Sequence, residues 1–383
     1  MTVMERPTLP GLETGDAHHL LALLPGMNPE HWQVVLDQLE DPTRILAMTP
    51  DSLQALGLPA STRRTLTAWQ AQGLEPTTRK RLDHARQQCD QLGIRVIHWQ
   101  HPEYPAVLRH IHGPPPVLYC RGDTGALDRP CLAMVGSRHA SRDGLNHARR
   151  FAHALSEGGF SVVSGLALGV DGAAHRGAVD GGGMTIGILA NGVDQPYPRR
   201  HETLANDLLQ AGGLLVSELP PGTPARSHLF PQRNRLISGL CRGVLVVEAG
   251  LRSGSLITAR LAMEQGREVF AIPGSIHQPS VRGCHRLIRE GAVLVETVDD
   301  IVSELGVWDS LPSQAGPDVA PEPAHLDDES RRVLEAVTYE PVDSDSLCRA
   351  TGMGAADLLQ AMLLLEMEGL VESTAGGYRR RSG

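Results

Sequence analysis

The sequence predicts an α/β protein built on a doubly wound parallel sheet, with a small all-α region before it and a second, helix-rich region after it. Three observations predict this. From Gly93 onward, short apolar runs alternate with amphipathic stretches of helical length. The apolar runs are near-continuous rather than alternating, which fits strands buried on both faces. Glycines stand where each helix must end and the next strand begin: Gly158-Gly159, Gly181–Gly183, Gly212-Gly213, Gly266 and Gly291.

Residues 13–75 read as helices. In "NPEHWQVVLDQL", Asn28 caps, Pro29 takes the first helical position and apolar residues follow at helical spacing. "TPDSLQALGLPASTRRTLTAW" reads as helix, turn at Gly57, helix, a faint helix-hairpin-helix or SAM-like outline in a small packing domain. The expected strands are Val96–His98, Val117–Cys120, Cys131–Val135, Phe160–Val163, Thr185–Leu189, Leu214–Ser217, Val244–Val247, Val269–Ile272 and Ala292–Val295. Helical stretches such as Leu145–Ser156 and Leu256–Gln265 separate them. This is an extended Rossmann-like sheet, with two additional strands at its start. The segment 307–325 is rich in proline and acid and reads as a linker. Beyond it, "DESRRVLEAV", "DSDSLCRATG" and "GAADLLQAMLLLEMEGL" predict three helices, and "LVESTAGGYRRR" two short strands, a winged-helix pattern. The third helix would read DNA in a base-reading member. Here it carries Asp357, Glu366 and Glu368 and no cation, which favours a protein contact or a regulatory role. The expected layout is therefore 1–80 helical, 81–306 Rossmann-like, 307–325 linker and 326–383 winged helix.

Composition narrows the chemistry. The 383 residues carry a net charge of −9, yet residues 131–300 hold 17 arginines against 15 acids. The acidity lies in the flanks. Lys80 is the only lysine, and it opens an exposed-looking helix in "TTRKRLDHARQQ". A Walker A loop and a Schiff-base enzyme both need a lysine, so neither fits. Phosphate must be held by arginine, hydroxyls and backbone N–H groups. The six cysteines are scattered without a Cys-x-x-Cys pair, which suggests free thiols in a reducing compartment, and no zinc spacing occurs. No apolar run of membrane-spanning length and no secretion signal is seen. The expectation is a cytoplasmic protein with no metal and no cofactor.

Ligands of a doubly wound sheet bind beyond the carboxyl ends of its strands. The segments following those ends share one chemistry. Gly136-Ser137-Arg138 follows the third strand, a loop containing Gly165 and Gly169 the fourth, and "ANGVDQPYPRRH" with Arg199 and Arg200 the fifth. Arg233, Asn234 and Arg235 lie in the long segment after the sixth strand, and Arg252-Ser253-Gly254-Ser255 follows the seventh. Glycine lets a backbone approach an anion, and helix starts offer N–H donors. Six arginines, Arg138, Arg199, Arg200, Arg233, Arg235 and Arg252, are expected to ring one face as a polyanion site. Catalytic readings are poorer. Asp171 and His175 read as a helix cap and a packed histidine, Glu248 as a group that orders a neighbouring loop. Cys284-His285 is only a sequence adjacency.

The blocks "MVGSR", "SGLALGVDGAAHRGA", "YPRRHETL", "ELPPG", "FPQRNRLISGL", "VVEAGLRSGSLITARLAMEQGREVFAIPGS" and "RGCHRLIREGA" resemble the signature of the DNA-processing protein A family (DprA, also called Smf). They run in the family's order, with "YPAVLRHIHGPPPVLYCRG" upstream. The resemblance implies a single-stranded DNA-binding protein with no catalytic residues. It implies protection of incoming DNA in natural transformation and help in loading the RecA recombinase. It also implies a homodimer through the Rossmann-like domain; the Leu287–Val295 end is a candidate for that contact. It places the DNA site on Gly136, Ser137 and Arg138 and on a basic residue after the Tyr-Pro pair, here Arg199 or Arg200. Where many members read Ala-Arg-Gly, this chain has Ala167-Leu168-Gly169, so one cation is missing. Aromatics make up 3% of the chain, which limits base stacking to candidates such as Tyr197 and Phe230. A rival reading is a nucleotide phosphoribohydrolase of the lysine-decarboxylase-like (LOG) class. That class needs a Pro-Gly-Gly-x-Gly-Thr loop with a nearby glutamate, and "EAGLRSGSLITA" departs from it. A third reading, an interaction scaffold using the winged helix, is compatible with the first.

Overall fold

Local capping and apolar spacing set the first helices of the computed structural model, which describes residues 15–306, 326–338, 341–374 and 376–380. Helix α1 is Asp16–Leu23. Helix α2 is Pro29–Gln38, where the Asn28 side chain accepts the His31 N–H at 2.9 Å as a cap. Helices α3 (Pro50–Ala55), α4 (Ala60–Gln72) and α5 (Pro76–Leu92) follow. Leu20, Ile45, Leu53, Leu66, Trp69 and Leu82 close a core of their own. Helix α5 serves two cores: Leu82 belongs to the helical one, and Cys89 packs with Tyr119, Leu166 and Leu208 beside the sheet. The expected boundary at 80/81 falls within this 17-residue helix. Buried His19 of α1 also hydrogen-bonds the Tyr119 hydroxyl at 3.0 Å, so the helices are fastened to the sheet.

The strands are β1 (Arg95–His98), β2 (Val117–Gly122), β3 (Cys131–Val135), β4 (Ser161–Ser164), β5 (Thr185–Ile188), β6 (Leu214–Ser217), β7 (Gly243–Val246), β8 (Glu268–Ala271) and β9 (Val293–Leu294). Their order in the sheet is β1-β2-β6-β5-β4-β3-β7-β8-β9. Strands β3 to β9 are parallel. The two additional strands run antiparallel, β1 on β2 and β2 on β6, with Tyr119 opposite Ser217. Every residue of β3 is buried, because both faces are covered. Leu132 and Met134 face Ala148, Phe151 and Leu155 of α6 (Arg142–Glu157). Ala133 and Val135 face the other way, into a core shared with Leu236 and Leu240 of α9 (Leu229–Leu240) and with Ala259 and Ala262 of α10 (Ser255–Glu264). Helices α7 (Val170–Asp180) and α8 (Glu202–Gln210) complete the first half; α11 (Arg282–Arg289) and α12 (Val298–Leu305) complete the second.

All six cysteines are free, and five are buried. Burial pushes the Cys120 and Cys131 thiols up to about 12, so these are apolar fillers rather than nucleophiles. No helix among the described residues is long and apolar enough to cross a membrane, and no cluster of metal-ligating side chains occurs among them.

The chain divides into two units, Met1–Ser313 and Gln314–Gly383. In the second, α13 (Asp328–Ala336), α14 (Ser344–Thr351) and α15 (Ala355–Met367) pack Val333, Leu334, Leu347, Leu358, Met362 and Leu365 into one core. Strands β10 (Val371–Thr374) and β11 (Gly377–Arg380) form the antiparallel wing, and Val342 adds a bridge to Tyr378. Within the wing, Arg379 is paired with Glu372 at 2.7 Å. The outer face of α15 is apolar and acidic: Leu359, Leu363 and Met367 are exposed beside Asp357, Glu366 and Glu368. The linker expected at 307–325 lies outside the described residues.

Candidate functional site

Strand β3 lies at the centre of the sheet, with β4 on one side and β7 on the other. The chain winds outward in opposite directions from it. The connections beyond the carboxyl ends of β3 and β7 therefore diverge and leave a crevice. A cleft of about 560 Å³ occupies it, walled by Gly136, Ser137 and Arg138 after β3 and by Arg252, Ser253 and Gly254 after β7. Phe230 and Asn234 of α9 and Ser255 of α10 also line it.

The loop after β3 is held from below. The Ser137 N–H donates to the Glu248 carbonyl at 2.7 Å. The buried Glu248 carboxylate accepts the Ser141 N–H at 3.1 Å and its hydroxyl at 2.5 Å. Ser141 in turn accepts the Gly144 N–H at 3.0 Å and caps α6. Glu248 is thus consumed in ordering the loop that presents Arg138. Arg138 itself is exposed and pairs with no carboxylate among the described residues. Its guanidinium stands 5.6 Å from the centre of the Phe230 ring, and Tyr197, 49% exposed, places its ring 5.8 Å from that of Phe230. Arg138, Phe230 and Tyr197 thus form a row of successive contacts, of which Arg138 and Phe230 line the cleft.

The loop after β4 supports this row. Asp171, expected to cap its own helix, instead accepts the Gly165 and Ala167 N–H groups at 3.0 and 3.3 Å, and Gly169 takes the cap position of α7. Burial pushes the Asp171 carboxyl up, against the pull of Arg233 and those N–H groups. Gly169 has φ +79, and a Cβ there would lie 2.2 Å from the Ser137 carbonyl oxygen. Gly169→Ala should therefore cost about 2 kcal/mol or more, because left-handed backbone and a clash coincide. A thermal midpoint unchanged from wild type would refute this.

After β7, Arg252 is exposed and has no carboxylate partner among the described residues. The Ser253 and Ser255 hydroxyls lie 2.7 Å apart at the start of α10, ahead of helix donors. Gly254 between them faces open space. Hydroxyls, a helix start and two unpaired guanidinium groups converge on the cleft. The two nearby carboxylates, Glu248 and Asp171, are occupied by protein donors. The arrangement can hold phosphate oxygens and stack an occasional base.

Not every expected residue takes part in the expected way. Arg233 and Arg235 were to ring the face, and the structure corrects this. Both sit on α9 and are buried. Arg233 donates to the Gly165 carbonyl at 3.0 Å and to the Ile188 carbonyl, so it lines the back of the cleft as a strut. Burial lowers its guanidinium to about 10 despite Asp171. Arg235 grips Glu218 at 2.8 and 2.6 Å and the Gly113 carbonyl at 2.9 Å, away from the cleft. Gly165 is likewise buried, against the Arg233 guanidinium. Arg199 and Arg200 are exposed on a short 3-10 turn after Pro198 and do not line the cleft. That turn is tied to the β4 loop through His201, which donates to the Leu166 carbonyl at 2.9 Å. His139, Thr258 and Ser280 line the cleft unannounced; nothing in their sequence setting distinguishes them from loop and helix residues elsewhere.

The catalytic candidates are structural. His175 is fully buried and hydrogen-bonded to Thr185 at 2.7 Å. Thr185 gives its own proton to the Val162 carbonyl, so His175 donates through Nδ1. Burial, aided by His201 and Arg233, lowers its imidazole to about 3. The folded value lies below the ordinary 6.5. The contribution of neutral His175 is therefore complete above about pH 6.5 and is lost as the pH falls toward 3. His175→Asn should flatten the dependence of the urea midpoint on pH between about 6.5 and 4. Curves that stay parallel would sink this assignment. Cys284 is buried, with its thiol pushed up to about 11, and His285 bonds Gly274 instead.

Comparison with known proteins gives consistent matches. The family model for DNA recombination-mediator protein A matches residues 95–306, and that for the DprA winged helix domain matches 317–377. The chain is 40% identical over 325 residues to "Protein Smf" of Escherichia coli (strain K12), covering 82% of this chain and 85% of that protein. It is 45% identical over 201 residues to "DNA processing protein DprA" of Streptococcus pneumoniae, covering 52% of this chain and 71% of that one. The X-ray structure of DNA processing protein A from S. pneumoniae superposes with a TM-score of 0.66 at 34% identity, over 76% of this chain and 99% of that one.

Proposed function

This chain belongs to the DNA recombination-mediator protein A family, and from that membership we propose that it binds single-stranded DNA in the cleft between the β3 and β7 loops. On this reading it acts on incoming DNA in the cytoplasm during transformation, protects the strand and helps load the RecA recombinase onto it. It works as a homodimer through the Rossmann-like domain.

The observation that carries the reading is the convergence of Arg138 and Arg252, neither paired with a carboxylate among the described residues, on one cleft that also holds Ser137, Ser253 and Ser255. Phosphate oxygens would meet guanidinium forks and hydroxyls, and a base or sugar would lie along Phe230 and Tyr197. A binding rather than a hydrolytic role is supported by Glu248, whose carboxylate is buried under Ser141 instead of facing a substrate. The apolar, acidic face of α15 fits a protein contact better than a DNA groove.

The test is fluorescence anisotropy with single-stranded oligonucleotides of several sequences between about 50 and 200 mM salt. Affinity should be nearly independent of sequence and should fall with salt, with a log–log slope of about −0.7 for each phosphate held. No binding at low salt would overturn the reading.

A further inference from the structure

The lone lysine stands at a second groove. A cleft of about 460 Å³ opens between α5 and the segment joining β6 to α9. One wall presents Lys80, Arg81 and His84; the other presents Arg226 and His228. All five are exposed, and none has a carboxylate partner among the described residues. No acidic side chain among the described residues lines the groove. Asp83, next to it on α5, is exposed, and Asp194 behind the loop is taken up by the Gly222 N–H at 3.0 Å. In a chain of net charge −9, three permanent cations without carboxylate partners in one groove are an unusual concentration.

The two walls are fitted to each other. Gly222 has φ +83, and a Cβ there would lie 2.6 Å from the His84 ring. The loop comes this close to α5 only because the residue is glycine. The floor is apolar, with Leu23, Pro220 and Leu229. The groove also continues the site already described. His228 and Leu229 line it, and the next two residues, Phe230 and Pro231, line the cleft of Arg138.

We propose that this groove is a second holding site for the sugar-phosphate backbone of the same DNA strand, which leaves the first cleft past Phe230 and passes between Lys80 and Arg226. The proposal rests on the single-strand reading of the first cleft. The ligand class follows from the lining: permanent cations for phosphate, an apolar floor for deoxyribose and, among the described residues, no Phe, Tyr or Trp ring for a base. Lys80 and its neighbours on α5 thereby extend the helical region's task from packing to binding.

The experiment compares a short oligothymidylate of about 5 nucleotides, enough for one cleft, with one of about 20 that can span both. Lys80→Ala with Arg226→Ala removes one cation from each wall. A charge-matched control, Arg129→Ala with Arg242→Ala, removes two exposed cations at the amino ends of β3 and β7, the opposite edge of the sheet. The groove variant should weaken the long oligonucleotide about tenfold and reduce its salt slope by about 1.4. The short one should bind it as tightly as it binds wild type, and the control should bind both normally. Equal affinity of wild type and groove variant for the long oligonucleotide would overturn the second site and leave the first intact. An equal loss on short and long oligonucleotides, or a matching loss in the control, would also overturn it. Failure of wild type to bind either oligonucleotide would remove the first cleft and the second together.

Discussion

Arg138→Ala is expected to weaken single-strand binding by ten- to a hundredfold while leaving the fold untouched. The side chain is exposed, pairs with no carboxylate among the described residues and lies over the Phe230 ring, so its removal leaves no buried polar group or charge without a partner. What is lost is a charge-assisted hydrogen bond to phosphate, worth about 1.5–3 kcal/mol, which sets the fold-change through the usual tenfold per 1.4 kcal/mol. The salt slope should shrink by about 0.7, one phosphate contact. Arg138→Lys should recover part of the affinity, since it restores the charge but not the planar fork or the stacking on Phe230. The thermal midpoint should stay at the wild-type value. Undiminished affinity in the alanine variant would displace the site from this cleft.

Arg233→Met should do the reverse, with a large loss of stability. Its guanidinium, 5% exposed as a residue, satisfies the Gly165 and Ile188 carbonyls and stands beside the buried Asp171. Removing one member of such a buried arrangement typically costs 3–5 kcal/mol, a large share of an ordinary stability of about 5–15 kcal/mol. At about 2–4 °C per kcal/mol, the thermal midpoint should fall by roughly 10 °C. Adding Asp171→Asn should cost less than the sum of the two single changes, because both act on the same buried charge. Strict additivity, or a midpoint within a degree or two of wild type, would contradict this account. The Arg138 and Arg233 variants therefore separate two uses of arginine at one cleft, ligand contact and internal support.

The sequence shows clearly where local chemistry decides the structure. The nine strands of the sheet fall within one or two residues of their expected bounds, since each is an apolar run stopped by glycine or a polar cluster. The Arg138 loop, the Ser253–Ser255 start of α10 and the three-helix winged unit were legible for the same reason. Strand order was not, because pairing is a property of the whole chain; that β2 lies against β6 rather than β3 has no local signal. The burial of Arg233 and Arg235 was hidden likewise. Their acceptors at Gly165 and Gly113 lie 68 and 122 residues away. An arginine after a loop looks solvated until those carbonyls are in place. The Glu248–Ser141 pairing spans 107 residues, and only the general role of Glu248 in ordering a loop was readable.

A single lysine, exposed on the rim of a cationic groove, also makes the molecule chemically addressable. An amine-directed reagent meets one side chain, Lys80, besides the chain's amino terminus, and none in the Arg138 cleft. A dye coupled there would report from the second groove alone, and acylation of lysine, which erases its charge, would act on that groove and nowhere else on the surface. The arginines that line the first cleft are beyond the reach of any such chemistry, so one of the two proposed holding sites can be stripped of one of its three permanent cations while the other keeps all its charge.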